Sequence, residues 1–279
     1  MTEPAAPNPR SPAELAFERI VYEKAPPRAT ITLNRPERLN AINDAFVTDL
    51  HAAIDDVEGD PSCRVVLLTG AGKGFCAGFD MKAGDYNGDP AERGVSALMA
   101  GQRRLAGLAV RLHELPVAVI AAVNGAAAGG GFALALAADI RVASESAVFV
   151  AANVKIGVSG GEMGMTWRLP RLIGEGRATE MLLTGRKMGA AEALAAGLVT
   201  AVVPADQLAD AASGLADQVM ATSPFSTWMT KELIDANASA GSLRHAIQNE
   251  NRTQVLCNFT GDIAEAVTAF REGRPPVFR

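Results

Sequence analysis

Short apolar runs fill the first half of the chain, and helical spacing of apolar residues fills the second. Phe17 to Glu23 and Ala29 to Leu33 read as β segments, with Pro26-Pro27 forcing the turn between them. Ile42, Phe46, Leu50 and Ile54 recur at helical spacing, which predicts an amphipathic helix over Ala41 to Val57. Arg64 to Thr69 is a short apolar strand ended by Gly70-Ala71-Gly72, and strand, helix, strand is the order of a crossover unit. Gly84 to Ala91 is polar and glycine-rich, a candidate loop at the mouth of a site. A helix follows from about Arg93 to Leu115, with Val95, Leu98, Gln102, Leu105, Leu108, Leu112 and Leu115 on one stripe until Pro116 stops it. Val117 to Val123 reads as a strand buried on both faces, Gly131 to Ala138 as a buried helix, and Ala147 to Val150 as another β segment.

From Met163 onward the pattern is helical, interrupted at Pro170 and Gly174. Pro204-Ala205-Asp206 caps a helix reaching Met220; Thr222-Ser223-Pro224 and Gly241-Ser242 start two more. The expected organisation is a loose arm over residues 1–13, an α/β core over 14–200 and a helical region over 201–279. The last of these is placed to cover a site or to pack on neighbouring subunits.

Composition narrows the class. With 48% hydrophobic and 20% charged residues, a disordered chain and a basic nucleic-acid binder are both poor fits. The net charge of −5 leaves room for a local basic site. Cys63, Cys76 and Cys257 have no framework spacing, which favours a reducing, cytoplasmic setting. Met1 to Pro12 lacks the apolar core of a signal peptide. The most apolar stretch, Pro116 to Leu136, is broken by Asn124 and Gly129-Gly130-Gly131, so it reads as strand, turn and helix, and no membrane partner is expected.

Two glycine-bearing segments follow apolar strands: Gly72 to Asp80, and Asn124 to Gly131. Neither has the spacing of a dinucleotide or phosphate-binding loop. Glycine at such places serves tight packing of helix on sheet, or leaves bare N–H groups facing an anion or oxyanion. Both readings stay open on spacing alone.

The chain as a whole resembles the enoyl-CoA hydratase/isomerase, or crotonase, family. The matching pieces are Asn34-Arg35-Pro36-Glu37-Arg38-Leu39-Asn40-Ala41, Gly74-Phe75-Cys76-Ala77-Gly78-Phe79-Asp80, Asn124-Gly125 with Gly129-Gly130-Gly131, and Asp139-Ile140-Arg141. Arg168-Leu169-Pro170-Arg171, Leu183-Thr184-Gly185 and Ala195-Ala196-Gly197-Leu198-Val199 follow in family order. The resemblance implies an α/β fold, a crotonase-like spiral of ββα units followed by a helical C-terminal region, assembled as a homotrimer or a dimer of trimers. It implies an acyl-CoA thioester as substrate, with coenzyme A arriving as part of it and no permanently bound cofactor. It also places the two oxyanion-hole N–H groups on Phe79 and Gly130. Arg38 and Lys82 fall near the coenzyme phosphates, with Ala77 on the adenine side; as plain residues, the two cations read equally as solvated surface charge.

The sequence departs from a hydratase where acids are expected. The two glutamates that resemble a hydratase's water-activating pair are replaced here by Ala133 and Asn153, neither able to act as a base. Glu162, amid glycines and apolar residues, resembles the acid of the family's isomerases; it reads otherwise as a helix-capping carboxylate. Ser159 and Asn153 are candidate hydrogen-bonding groups, and Trp167 and Trp228 read either as walls of an acyl pocket or as core residues. Cys76 has no histidine near it in sequence, and His51, His113 and His245 share no metal spacing, so no metal is expected. A one-carboxylate double-bond isomerisation is the leading expectation. Hydration with an unusual acid/base arrangement, thioester hydrolysis or lysis, and acyl-CoA binding without catalysis are the alternatives.

Overall fold

The computed structural model describes residues 17–82 and 90–278; the expected arm and most of the loop expected over Gly84 to Ala91 lie outside them. Strands β1 (Ile20–Ala25) and β2 (Arg28–Leu33) form an antiparallel hairpin. Helix α1 (Asp44–Glu58) follows, then β3 (Val65–Gly70), β4 (Gly74–Cys76) and α2 (Pro90–Glu114). Two more turns repeat the order: β5 (Ala118–Val123), β6 (Ala126–Ala128) and α3 (Gly130–Ala137), then β7 (Ile140–Ser144), β8 (Val148–Val150) and α4 (Met165–Ile173). After them come α5 (Glu175–Thr184), β9 (Lys187–Gly189), α6 (Ala190–Ala195), β10 (Ala201–Val203) and α7 (Leu208–Met220). The chain ends in α8 (Pro224–Asn237), α9 (Leu243–Cys257) and α10 (Asp262–Glu272).

The strands make two sheets, a six-stranded one in the order β1-β2-β3-β5-β7-β10 and a four-stranded one in the order β4-β6-β8-β9. Each inner turn therefore sends its first strand to the large sheet and its second to the small one before its helix returns. That is the spiral of ββα units. From β2 to β10 the large sheet is parallel. Val66, Leu68, Val119, Ala121 and Val123 face the main core, while Val65, Leu67, Ala118, Ile120 and Val142 face Leu208, Ala212 and Ala216 of α7. Both faces of these strands are covered, which is why they are continuously apolar rather than alternating.

Several boundaries differ from the sequence pattern for local reasons. Helix α1 begins at Asp44 because Asn43 caps it, its side chain accepting from the Phe46 N–H at 3.0 Å. Ile42 is drawn instead into a parallel bridge with Phe79. The stripe on α2 is buried only from Leu105 on; Val95 is 79% exposed, and the helix is kinked at Gly94. Pro170 lies inside α4 rather than breaking it, and Gly174, with φ at 82°, ends that helix. Strand β9, three residues long, is too short for the pattern to show. Ser223 and Ser242 cap α8 and α9 as expected. Helix α8 is tied to the core by Lys231, whose Nζ reaches Asp139 at 2.8 Å and the Val117 carbonyl at 3.1 Å. Phe259, in the turn between α9 and α10, and Phe270 on α10, 84% and 87% exposed, leave apolar surface at the terminal helices. Among the described residues no helix is long and apolar enough to cross a membrane.

The two sheets and α3 meet at one very close approach. A Cβ on Gly131 would stand 2.2 Å from the Cys76 carbonyl oxygen and 2.6 Å from the Cys76 Cβ. Neither neighbour can swing aside, since one is backbone and the other is fully buried. Gly131→Ala should destabilise the fold by about 1–3 kcal/mol, the usual cost of overpacking. A lowered denaturant midpoint with an unchanged slope is the expected result.

Candidate active site

The site grows from the segment that joins β2 to α1. Leu39 and Asn40 hold φ of 49° and 57°, turning the chain back on itself. The fully buried Asn40 side chain donates to the carbonyls of Ala71 at 2.9 Å, Gly74 at 2.9 Å and Phe75 at 3.1 Å, and accepts from the Arg35 N–H at 2.8 Å. Arg35 in turn pairs with Asp80 at 2.8 Å, and its hydrogen bond is the main influence holding the Asp80 carboxyl below its usual range. The Ile42 N–H donates to the Gly78 carbonyl at 2.7 Å and the Asp80 N–H to the Ile42 carbonyl at 2.9 Å. Phe79 is fixed between those two bonds.

Opposite lies the start of α3. Gly129, with φ at 49°, donates its N–H to the Val150 carbonyl at 2.9 Å and hands over to Gly130, the first helical residue. An N–H in that position has no carbonyl one turn before it. A Cβ on Gly78 would lie 2.7 Å from the Ala128 carbonyl oxygen and 3.4 Å from the Gly130 amide nitrogen. A Cβ on Gly130 would meet Ile42 Cδ1 at 3.0 Å, Met163 Sδ at 3.7 Å and Phe79 Cε2 at 3.9 Å. Phe79 and Gly130 are thus neighbours, and the residue after Glu162 closes the same niche.

Glu162 is buried, with 8% of its surface exposed. Gln102 on α2 donates to its Oε1 at 2.8 Å, and Asn153 donates to its Oε2 at 3.4 Å. Burial pushes the Glu162 carboxyl up, opposed by the Gln102 amide and by the Met163 N–H. Helix α4 is capped by Gly164 without a side-chain bond, so the Glu162 side chain is turned to α2 and Asn153 rather than to the helix start. Asn153, 3% exposed, leaves its Oδ1 without a partner, at 3.2 Å from where a Gly129 Cβ would be. Ala133 is buried in α3. The niche therefore joins backbone N–H groups on a glycine turn to one carboxylate whose neutral and ionised forms are brought closer in energy. That combination suits charge development on a carbonyl together with a proton transfer.

The remaining candidates divide. Arg38 and Lys82 are exposed; the Ala77 N–H donates to the Leu39 carbonyl at 2.9 Å, so Arg38 and Ala77 share one rim, and the Lys82 N–H donates to Asp80 at 3.0 Å. Ser159 is exposed and accepts from the Gly161 N–H. Cys76 is fully buried with its thiol pushed up to about 12 by desolvation, which makes it inert. His51 and His113 bind Arg104, Arg111, Arg168 and Asp235, and among the described residues no trio of His, Cys, Asp or Glu side chains is grouped to hold a metal ion. Trp167 and Trp228 are not walls of this niche. Trp167 stacks under Arg171 at 4.0 Å and faces a cavity of about 800 Å³ between α4, α7 and α8, while Trp228 faces a smaller one beside Phe225. Gln102 was visible in the sequence only as the one polar member of an apolar stripe.

Residues 28–279 match the family model described as enoyl-CoA hydratase/isomerase. The chain belongs to the enoyl-CoA hydratase/isomerase family. It is 42% identical over 262 residues to a protein of Mycobacterium tuberculosis named a probable enoyl-CoA hydratase, covering 93% of this chain and 92% of that one. It is 41% identical over 249 residues to the 1,2-epoxyphenylacetyl-CoA isomerase of Escherichia coli, covering 89% and 94%. The crystal structure of an enoyl-CoA hydratase from Bacillus anthracis superposes with a TM-score of 0.86 at 34% identity, over 94% of this chain and 99% of that one. The spiral and the enzymatic class are thereby fixed for this member of the family.

Burial of Glu162 also has a consequence for stability. Its carboxyl titrates higher in the fold than in the unfolded chain, so its contribution is fully present below the unfolded value of about 4.3 and is lost as pH rises through the folded value. At pH 7 the ionised group destabilises. Glu162→Gln should therefore melt above the parent at pH 7, with the gap closing below about pH 4. Thermal unfolding at the two pH values checks this, and an unchanged melting temperature at pH 7 would contradict it.

Proposed function

We propose that this family member is an acyl-CoA isomerase that moves a double bond by way of a thioester enolate. The thioester oxygen sits between the N–H groups of Phe79 and Gly130. Glu162 removes the proton from Cα, the C–H electrons shift into the carbonyl, and the oxyanion is held by the two backbone donors. The electrons then return through Cα and Cβ, the β,γ double bond becomes α,β, and Glu162 delivers its proton to Cγ. No water is consumed. Arg38 and Lys82 receive the coenzyme phosphates, and Ala77 lies beside the adenine. No resident cofactor is needed. The protein works in the cytoplasm as a homotrimer or dimer of trimers, with the apolar surface of α9 and α10 against neighbouring subunits.

The observation that carries this reading is the placement of Glu162. It is a buried carboxylate bonded to Asn153, which lies beside the Gly129 turn, while Ala133 and Asn153 occupy the other positions where an acid would stand. The relative named 1,2-epoxyphenylacetyl-CoA isomerase supports isomerisation and puts aromatic acyl groups among the substrates to try. A second reading, hydration, is favoured by the unpartnered Asn153 Oδ1, which would accept a hydrogen bond from a water held beside Glu162.

A panel of 3-enoyl-, 2-enoyl-, dienoyl- and arylacetyl-CoA thioesters incubated in deuterated water separates the two by mass spectrometry. Isomerisation exchanges protons without adding oxygen; hydration adds the mass of water. Glu162→Gln should lower turnover by about 10²–10⁴-fold, the usual contribution of general acid–base transfer, with coenzyme binding little changed. Asn153→Ala should cost less, because an amide positions but does not shuttle a proton. The reverse order would move the chemistry to a water held by Asn153, and no exchange with any thioester would leave a binding protein.

A further inference from the structure

We infer that Gln102 is a positioning residue for the proton transfer: its amide, reaching from α2, aims the Glu162 carboxylate. The inference rests on the reading of Glu162 as the proton-transfer group. Gln102 is an exposed residue of α2, one turn before the buried stripe that begins at Leu105. Its side chain is nevertheless fixed inward, with Nε2 2.8 Å from Glu162 Oε1. Holding a long, otherwise free side chain in one arrangement costs entropy, which a hydrogen bond to a buried anion offsets.

The two donors on the carboxylate come from different parts of the chain, Gln102 from α2 and Asn153 from the turn after β8, at 2.8 and 3.4 Å on opposite oxygens. They fix the plane of the carboxylate as well as its position. Both are uncharged. Among the described residues no charged side chain is seen paired with Glu162: Arg168 on α4 binds His113 and the carbonyls of Leu136 and Ala138, and Arg104 on α2 binds Thr48. An amide stabilises the anion less than a cation does, so the carboxylate stays basic enough to take a carbon-bound proton. Of the two amides, Gln102 makes the shorter bond and is the one that opposes the effect of burial.

The test is the titration of Glu162 in the full-length protein labelled with 13C at the glutamate carboxyls, its signal assigned by its loss in Glu162→Gln. Gln102→Met removes the donor on a surface helix position and should move the Glu162 titration up by about one pH unit. That is a tenfold change at a pH on the acid limb. Gln102→Lys puts a cation in its place and should move the titration down. The pH profile for exchange of the Cα proton of a straight-chain 3-enoyl-CoA should follow in the same directions, with KM little changed. Unmoved titration in both variants, or movement in one common direction, overturns the role of Gln102. Retained exchange in Glu162→Gln overturns instead the assignment of the proton transfer to Glu162, and the carboxyl titration still reports on Gln102 in that case.

Discussion

One buried side chain, Asn40, carries the join on which the niche depends. Each ββα turn must pass from one sheet to the other, and at the first passage β3 leaves the large sheet through Ala71 and enters β4 at Gly74. The carbonyls of Ala71, Gly74 and Phe75 at that turn point into protein, not water, and the Asn40 amide serves all three. An unserved buried carbonyl costs about 1–3 kcal/mol, and Asn124 shares the task at Gly74, donating to that carbonyl at 3.2 Å. The Asn40 carbonyl oxygen meanwhile fixes the Arg35 backbone, and the Arg35 guanidinium fixes Asp80. Phe79 precedes Asp80. The position of its N–H is thus set by a chain of bonds that begins at the other end of the crossover, with no loop left free to drift.

The glycines complete the same geometry from the opposite side. Gly78 and Gly131 are places where backbone approaches backbone too closely for any Cβ, with contacts of 2.7 and 2.2 Å as the result of adding one. They bring the end of β4 against the start of α3. Asn40 and these glycines therefore do one job together: they hold two N–H groups of distant sequence, at Phe79 and Gly130, in fixed relation. On the proposed reading this is the preorganisation that stabilises an oxyanion without rearrangement at the moment of reaction.

Much of this was legible in the sequence, and the limits have physical causes. The parallel strands showed because both of their faces are buried, leaving unbroken runs such as Val117 to Val123. Ser223 and Ser242 announced their helices because capping is a local bond. The start of α1 was misplaced by three residues because Ile42 has helical spacing yet is used in a bridge to Phe79, a contact between residues 37 positions apart. The stripe on α2 promised burial for Val95, but periodicity reports only that residues share a face. Trp167 and Trp228 suit an acyl pocket or a core by residue type alone, and the fold places them at other cavities. The Gln102–Glu162 bond spans 60 positions and no pattern of spacing could reveal it.

The same distances bear on which reaction the niche favours. A hydratase must hold a water and two protonation partners at once, which demands space and polar groups on the α3 side of the substrate. Here the α3 position where such an acid would stand is Ala133, buried in the core and without a polar group. A proton shift needs less. On the proposed reading one carboxylate takes a proton from Cα and returns it to Cγ. Burial raises the Glu162 carboxyl, and the Gln102 amide and the Met163 N–H oppose that rise. On the proposed reading stability and reactivity are linked through one group: the desolvation that disfavours the charged Glu162 in the fold is the same desolvation that makes it a stronger base.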